Sequence, residues 1–188
     1  HQVVLFGYEE DVEKITPAIE KAGGFWDKMP FKMAYHTPLF ASVVDMLRPL
    51  YDSLTFGPGH TPVYSCVTAD QFPPDGDKMR EMAIATWEKR VRFRETIANM
   101  NKKDDVKLFI EVGPSGNLTS FVQDTLQGKE HLAISSNDQR RPGLLQLQHL
   151  LAKLYVVRKE VDFTHLFKHR PVRNAPLDGK MPEDAKKK

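Results

Sequence analysis

An α/β fold with a largely parallel sheet is what this sequence predicts, on three observations. Short apolar runs alternate with longer stretches at helical spacing along most of the 188 residues. Val106 to Val112 is a clear strand, ended by Gly113-Pro114. Pro142 to Val157 carries Leu144, Leu145, Leu147, Leu150, Leu151 and Leu154, the strongest amphipathic helix of the chain.

The elements follow in order. Gln2 to Phe6 reads as a short buried strand closed by Gly7. Asp11 to Ala22 places Val12, Ile15, Ala18 and Ile19 on one helical face and stops at Gly23-Gly24. Phe31 to Tyr35 reads as a strand, with His36 at its end. Thr37 is then a helix N-cap and Pro38 the first helical residue. Leu39, Phe40, Val43, Val44, Leu47 and Leu50 form the apolar face of that helix, whose last turn Pro49 disturbs. Gly57-Pro58-Gly59 is a loop, Val63 to Val67 a strand, and Gln71 to Asp77 another loop. Asp77 to Asn101 is helical in two pieces that break near Arg90-Val91. Asn117 to Leu126 is a short helix and His131 to Ser135 a strand. Trp26, Trp87, Phe93 and Phe109 fall at core-like positions. Beyond Phe167 the chain turns basic and proline-rich, and from Asp178 it reads as a flexible tail.

Composition excludes several classes. With 40% hydrophobic and 28% charged residues the chain is an ordinary globular one. The net charge of +2, much of it from Lys186 to Lys188, gives no argument for nucleic acid. No apolar stretch is long enough to span a membrane. Cys66 is the single cysteine, so no intramolecular disulfide can form, which fits a reducing, cytoplasmic setting. It reads as a structural thiol, because no basic residue lies within three positions to activate it. The histidines are scattered along the chain and a single cysteine cannot complete a metal set, and no glycine-rich phosphate loop precedes a helix. The chain starts at His1 without a methionine or a signal-peptide pattern, as a fragment would.

Among the histidines, His1, His60, His131, His165 and His169 fall near turns or ends, and His149 at the edge of the leucine-rich face. His36 stands apart, immediately before an N-cap and a helix-starting proline. The positive end of that helix would lie beside the ring and favour neutral imidazole, the form a general base needs. Gly113-Pro114-Ser115-Gly116 lacks the spacing of a nucleophile elbow and reads as a structural turn. Arg90, Arg92 and Arg94 form a basic cluster, either a solvated face or a contact for an acidic partner or phosphorylated cofactor.

Three blocks in order carry a family resemblance. Met33-Ala34-Tyr35-His36-Thr37-Pro38-Leu39 resembles the His-Ala-Phe-His-Ser-Pro-Leu signature of acyltransferase domains from polyketide and fatty-acid synthases. Arg90-Val91-Arg92-Phe93 resembles their Pro-Val-Arg-Phe segment, and Phe109-Ile110-Glu111-Val112-Gly113-Pro114 their Phe-(Leu/Ile)-Glu-Val-Gly-Pro strand and turn. Gly116-Asn117-Leu118-Thr119 and the leucine-rich helix are similar to synthases of the polyunsaturated-fatty-acid or iterative type. The resemblance covers residues 1 to about 167.

The resemblance implies the C-terminal portion of a FabD-like acyltransferase fold. Residues 1–36 would be the later part of a ferredoxin-like small subdomain, 37–167 part of an α/β-hydrolase-like large subdomain, and 168–188 a linker and tail. It implies His36 as catalytic base, and Met33, Ala34 and Tyr35 as substrate-binding residues. A backbone carbonyl near Thr86 would orient the imidazole. The serine of a Gly-His-Ser-x-Gly elbow and a malonyl-gripping arginine, both upstream in the family, are absent from this sequence. The implied reaction takes a malonyl or related acyl group from CoA to the phosphopantetheine thiol of an acyl carrier protein through an acyl-serine intermediate, with no tightly bound cofactor, and the chain alone is expected to be inactive. Implied partners are the carrier protein, acyl-CoA, the remainder of the domain and neighbouring synthase domains. Two readings compete with a segment of such an enzyme: a non-catalytic docking or structural module, and a small enzyme pairing Ser115 with His36.

Overall fold

The structure, a computed structural model, describes residues 2–30, 33–57 and 59–169. Helix α1 (Glu9–Lys21) opens it, with Glu9, Glu10 and Asp11 in its first turn where the helix dipole favours negative charge. Pro17 lies inside it; the Glu13 carbonyl that proline leaves without an amide accepts the Thr16 hydroxyl instead, at 3.0 Å. Gly23 and Gly24 close the helix by donating to Glu20 and Ile19, a Schellman motif. None of its residues is buried.

A single 3-10 turn (Pro38–Phe40) leads into α2 (Ala41–Asp52), which runs past Pro49 to its end. A two-residue antiparallel hairpin follows, β1 (Tyr64–Ser65) with β2 (Asp70–Gln71). Next come α3 (Gly76–Ala85), capped by the Asp75 carboxylate on the Lys78 amide, and α4 (Phe93–Asp104). Gly76 is required there, since a Cβ would lie 2.4 Å from the Phe56 carbonyl oxygen. Strand β3 (Leu108–Pro114), helix α5 (Asn117–Thr125) and strand β4 (Leu132–Asn137) form a parallel βαβ unit, with Phe109 opposite Ala133 and Ile110 opposite Ile134. Helix α6 (Gly143–Val156) packs on β4, and a short α7 (Thr164–Phe167) ends the described chain.

Two apolar clusters hold these elements. Ile97 of α4, Val122, Leu126 and Ala133 of β4 form the first, with Phe93, Met100 and Phe109 packed against it. Phe40, Val44 of α2 and Ile84 of α3 form the second, flanked by Tyr35, Val43, Tyr51 and Trp87. The opposite face of β3 is open among the described residues, with Ile110 and Val112 exposed.

Glu111 joins strand to helix. Its carboxylate accepts the Thr119 amide at 2.8 Å and the Thr119 hydroxyl at 2.7 Å, so it caps the N-terminus of α5. Burial alone would raise the Glu111 carboxyl, but Thr119 and the amides of Thr119, Leu118 and Gly116 hold it below the usual carboxylate range. A group so lowered in the folded state stabilises fully above its unfolded value of about 4.3, and that contribution is lost as pH falls through the folded value. Glu111→Gln is therefore expected to cost about 0.5–1 kcal/mol at neutral pH, the lower part of the range for losing a cap, because the amide oxygen still accepts. Denaturant titrations at neutral and acidic pH test this; a gap to wild type that failed to close on acidification would remove the charge from the account.

Several expected elements differ. Gln2–Phe6 and Met33–Tyr35 form no strand; a strand needs a ladder partner, and neither segment has one among the described residues. Phe31, Lys32 and Pro58, with the expected basic tail beyond residue 169, lie outside the described residues, as does His1. The strand expected over Val63–Val67 shrinks to its hairpin residues, and Gln71 belongs to β2 rather than a loop. Trp26 is exposed, its indole bonded to Glu20. The face of α6 is also corrected. Leu144, Leu145 and Leu147 are exposed, because buried Gln146 turns towards β4 and donates to the Ser135 carbonyl at 2.9 Å.

Candidate active site

His36 does not end a strand but occupies a turn, with a left-handed backbone at φ 61°. Such a conformation is uncommon for any residue except glycine, and the surroundings fix it. The His36 amide donates to the Trp87 carbonyl at 2.7 Å. On the far side Thr37 ties the turn down, its hydroxyl donating to the Ala34 carbonyl at 2.8 Å and accepting the Leu39 amide at 3.3 Å.

The ring is fixed as well. His36 Nδ1 lies 2.6 Å from the Thr86 carbonyl oxygen. A carbonyl only accepts, so Nδ1 carries the hydrogen and the neutral ring keeps its lone pair on Nε2. His36 and Tyr35 are both half-buried and both line an open cleft of about 1360 Å³. Its other walls come from Val3 to Phe6, from Trp87, Phe93 and Arg94, and from Phe121 and Asp124 of α5. Among the expected binding residues, Met33 and Ala34 are not in the cleft wall; Met33 is exposed and Ala34 is occupied below the turn.

Tyr35 belongs to an aromatic group. Its ring centroid is 4.9 Å from Phe40 and 6.3 Å from Trp87, while Phe40 and Trp87 stack at 6.0 Å. The Trp87 indole donates to the Tyr51 hydroxyl at 2.9 Å. Sequence reasoning gave Trp87 a place in the core without linking it to His36, and it missed Tyr51. Nothing local could have shown either link, because the partners lie on separate elements.

Ser115 is absent from the cleft wall. It follows β3 in a turn where Gly116 takes φ 85° and a Cβ would press on Ser135 at 3.4 Å. In the arginine cluster, Arg90 and Arg92 reach Glu95 at 2.7 and 3.6 Å, and Arg94 lines the cleft. Its own amide, then Arg90 and Arg92, hold the Glu95 carboxyl below the usual range against the opposing pull of burial. Cys66 is half-buried, its carbonyl accepting the Arg92 amide at 2.9 Å, and His149 is exposed on α6. Among the described residues no group of His, Cys, Asp and Glu could hold a metal ion, and no helix is long and apolar enough to cross a membrane.

Comparison with solved proteins decides the fold. The acyltransferase domain from the second module of the salinomycin polyketide synthase matches at a TM-score of 0.74 and 25% identity, over 89% of this chain and 40% of that one. This chain has the acyltransferase fold. A malonyl CoA-acyl carrier protein transacylase from Clostridium perfringens shares that fold at a TM-score of 0.64 and 23% identity, over 79% of this chain and 45% of that one. By sequence, the polyketide synthase GfsA of Streptomyces halstedii is 28% identical over 130 residues, 68% of this chain and 2% of the synthase. The polyketide biosynthesis acyltransferase homolog PksD of Bacillus subtilis is 25% identical over 125 residues, 66% of this chain and 37% of that protein. No protein-family model matches the chain. The acyltransferase fold is thus spanned in part, at under half the length of these relatives.

Proposed function

We propose that this chain is the base-bearing, C-terminal part of an acyltransferase that moves malonyl from CoA to an acyl carrier protein. The supporting observation is the His36 imidazole, tied through Nδ1 to the Thr86 carbonyl and set in the wall of an open cleft. Within that reading His36 Nε2 takes the proton of a serine hydroxyl as its oxygen attacks the thioester carbonyl. The CoA thiolate leaves and receives that proton from the imidazolium. In the second half His36 accepts the proton of the phosphopantetheine thiol, whose sulfur attacks the acyl-serine ester. The serine alkoxide leaves and takes the proton back. A carbonyl orients the ring here without adding a carboxylate charge.

The serine belongs, in this proposal, to sequence outside these 188 residues, which contain no Gly-x-Ser-x-Gly elbow. The division into residues 1–36, 37–167 and 168–188 is part of the same reading, as is a cytoplasmic location. A related malonyl-transacylase was solved with its acyl-carrier protein, which supports that class of partner. Tyr35, packed between Phe40 and the cleft, would crowd a methyl branch beside the thioester, a discrimination worth ~1–3 kcal/mol in favour of malonyl.

Intact-mass spectrometry tests the proposal. The chain alone, incubated with malonyl-CoA, is expected to gain no covalent malonyl. A longer protein that includes the serine is expected to gain one equivalent, and less from methylmalonyl-CoA. A stoichiometric adduct on the chain alone would revive Ser115 as nucleophile. No adduct on the longer protein would favour the docking module.

A further inference from the structure

We infer that Trp87 is a positioning residue for His36, anchored through the Tyr51 hydroxyl; this deepens the reading of His36 as the base. Both acceptors that hold His36 are adjacent peptide carbonyls, Thr86 for the ring at 2.6 Å and Trp87 for the amide at 2.7 Å. They sit in the turn that follows α3. That turn closes mostly through bonds three residues back, the tightened pattern of a helix end. The Thr86, Trp87 and Glu88 amides donate three residues back to Ala83, Ile84 and Ala85 at 3.3, 3.1 and 3.3 Å, and the Lys89 amide donates to Ala85 at 3.0 Å. Helix ends of this kind fray unless a side chain fixes them.

Two side chains supply that fixing: the Thr86 hydroxyl donates to the Met82 carbonyl at 3.2 Å, and Trp87 ties the turn to the core. Its ring stacks on buried Phe40 and packs against the cluster of Phe40, Val44 and Ile84. Its indole N–H donates at 2.9 Å to Tyr51, in the last turn of α2. The contacts make a closed circuit. His36 leads through the Pro38 turn into α2, α2 presents Tyr51, Tyr51 holds the indole, and residues 86 and 87 return two carbonyls to His36. A left-handed histidine persists where its surroundings over-determine it, and the circuit does so. The same indole lies 6.3 Å from Tyr35, so one side chain sets both the base and the neighbouring wall of the cleft.

The test reads the imidazole itself. Long-range proton–nitrogen NMR on histidine-labelled chain reports which ring nitrogen bears hydrogen, with the His36 signal assigned by its loss in His36→Gln. Wild type is expected to show hydrogen on Nδ1. Tyr51→Phe removes the anchor while keeping the ring packing, and Trp87→Phe keeps a stacked ring without the donor. Both are expected to shift His36 towards a mixture of tautomers in a chain whose amide spectrum remains folded. An unchanged tautomer in both folded variants, even with a lowered Tm, overturns the inference, because a merely structural role would lower Tm alone. In a longer protein that holds the serine, the same variants should lower kcat by about 10–100-fold with KM for the thioester little changed. A shifted tautomer with unchanged kcat would remove His36 from the mechanism while leaving the anchoring of its ring intact.

Discussion

Replacing His36 with alanine in a protein that also contains the serine is expected to slow acylation by malonyl-CoA by roughly 10²–10⁴-fold, the usual worth of a positioned general base. The effect should fall on kcat, because the imidazole acts as the proton moves and adds little to thioester binding. Two features of the structure make this an expectation about chemistry rather than folding. His36 is half-buried in a cleft wall and is not a member of either apolar cluster. Its removal leaves the Thr86 carbonyl without a ring to accept from, and the open cleft lets water take that place. Rapid-quench measurement of acyl-enzyme formation would give the rate directly. A variant that acylated within about threefold of wild type would fall far short of general-base catalysis and assign the proton transfer to another group.

The largest effect on stability is expected at Leu126. It is fully enclosed, at 0% exposure, between Ile97, Val122 and Ala133, where α4, α5 and β4 meet. Leu126→Ala should cost about 2–5 kcal/mol, the lost transfer of its methyl groups plus the cavity left behind. Val156, exposed at the end of α6, provides the contrast; its replacement by alanine should change stability by no more than about 0.5 kcal/mol. Urea titration checks both, with an unchanged m-value required for the comparison to be read as stability. A Leu126→Ala loss below about 1 kcal/mol would show that this cluster does not bear the cooperative fold.

How much of this was legible in the sequence depends on how local each signal is. The parallel pair β3 and β4 and the crossing helix α5 could be read in advance, because their strands are apolar runs bounded by turn residues. The break between α3 and α4 was also legible. Gln2–Phe6 was not, since its composition is that of a strand while a strand exists only with a partner. The leucines of α6 misled for a related reason. Periodicity predicts a face, but the buried bond from Gln146 to Ser135 selects which side of the helix meets the sheet. At the site, the motif located His36, and the Thr86 carbonyl was expected near the ring on resemblance alone. The left-handed turn, the Trp87 carbonyl and the Tyr51 anchor all join residues from separate elements, so no window of sequence contains them.

The backbone of residue 36 has a consequence for how this position can change. At φ 61° the relaxed occupant is glycine, and a side chain such as alanine stands there against a local preference of about 1–2 kcal/mol. The bonds made by the His36 ring and by its backbone amide therefore act against the local backbone preference at this residue. A comparison of Tm between His36→Gly and His36→Ala isolates the backbone part, since both lack the ring. The glycine variant is expected to melt higher, and equal values would mean that the turn relaxes once the imidazole is gone.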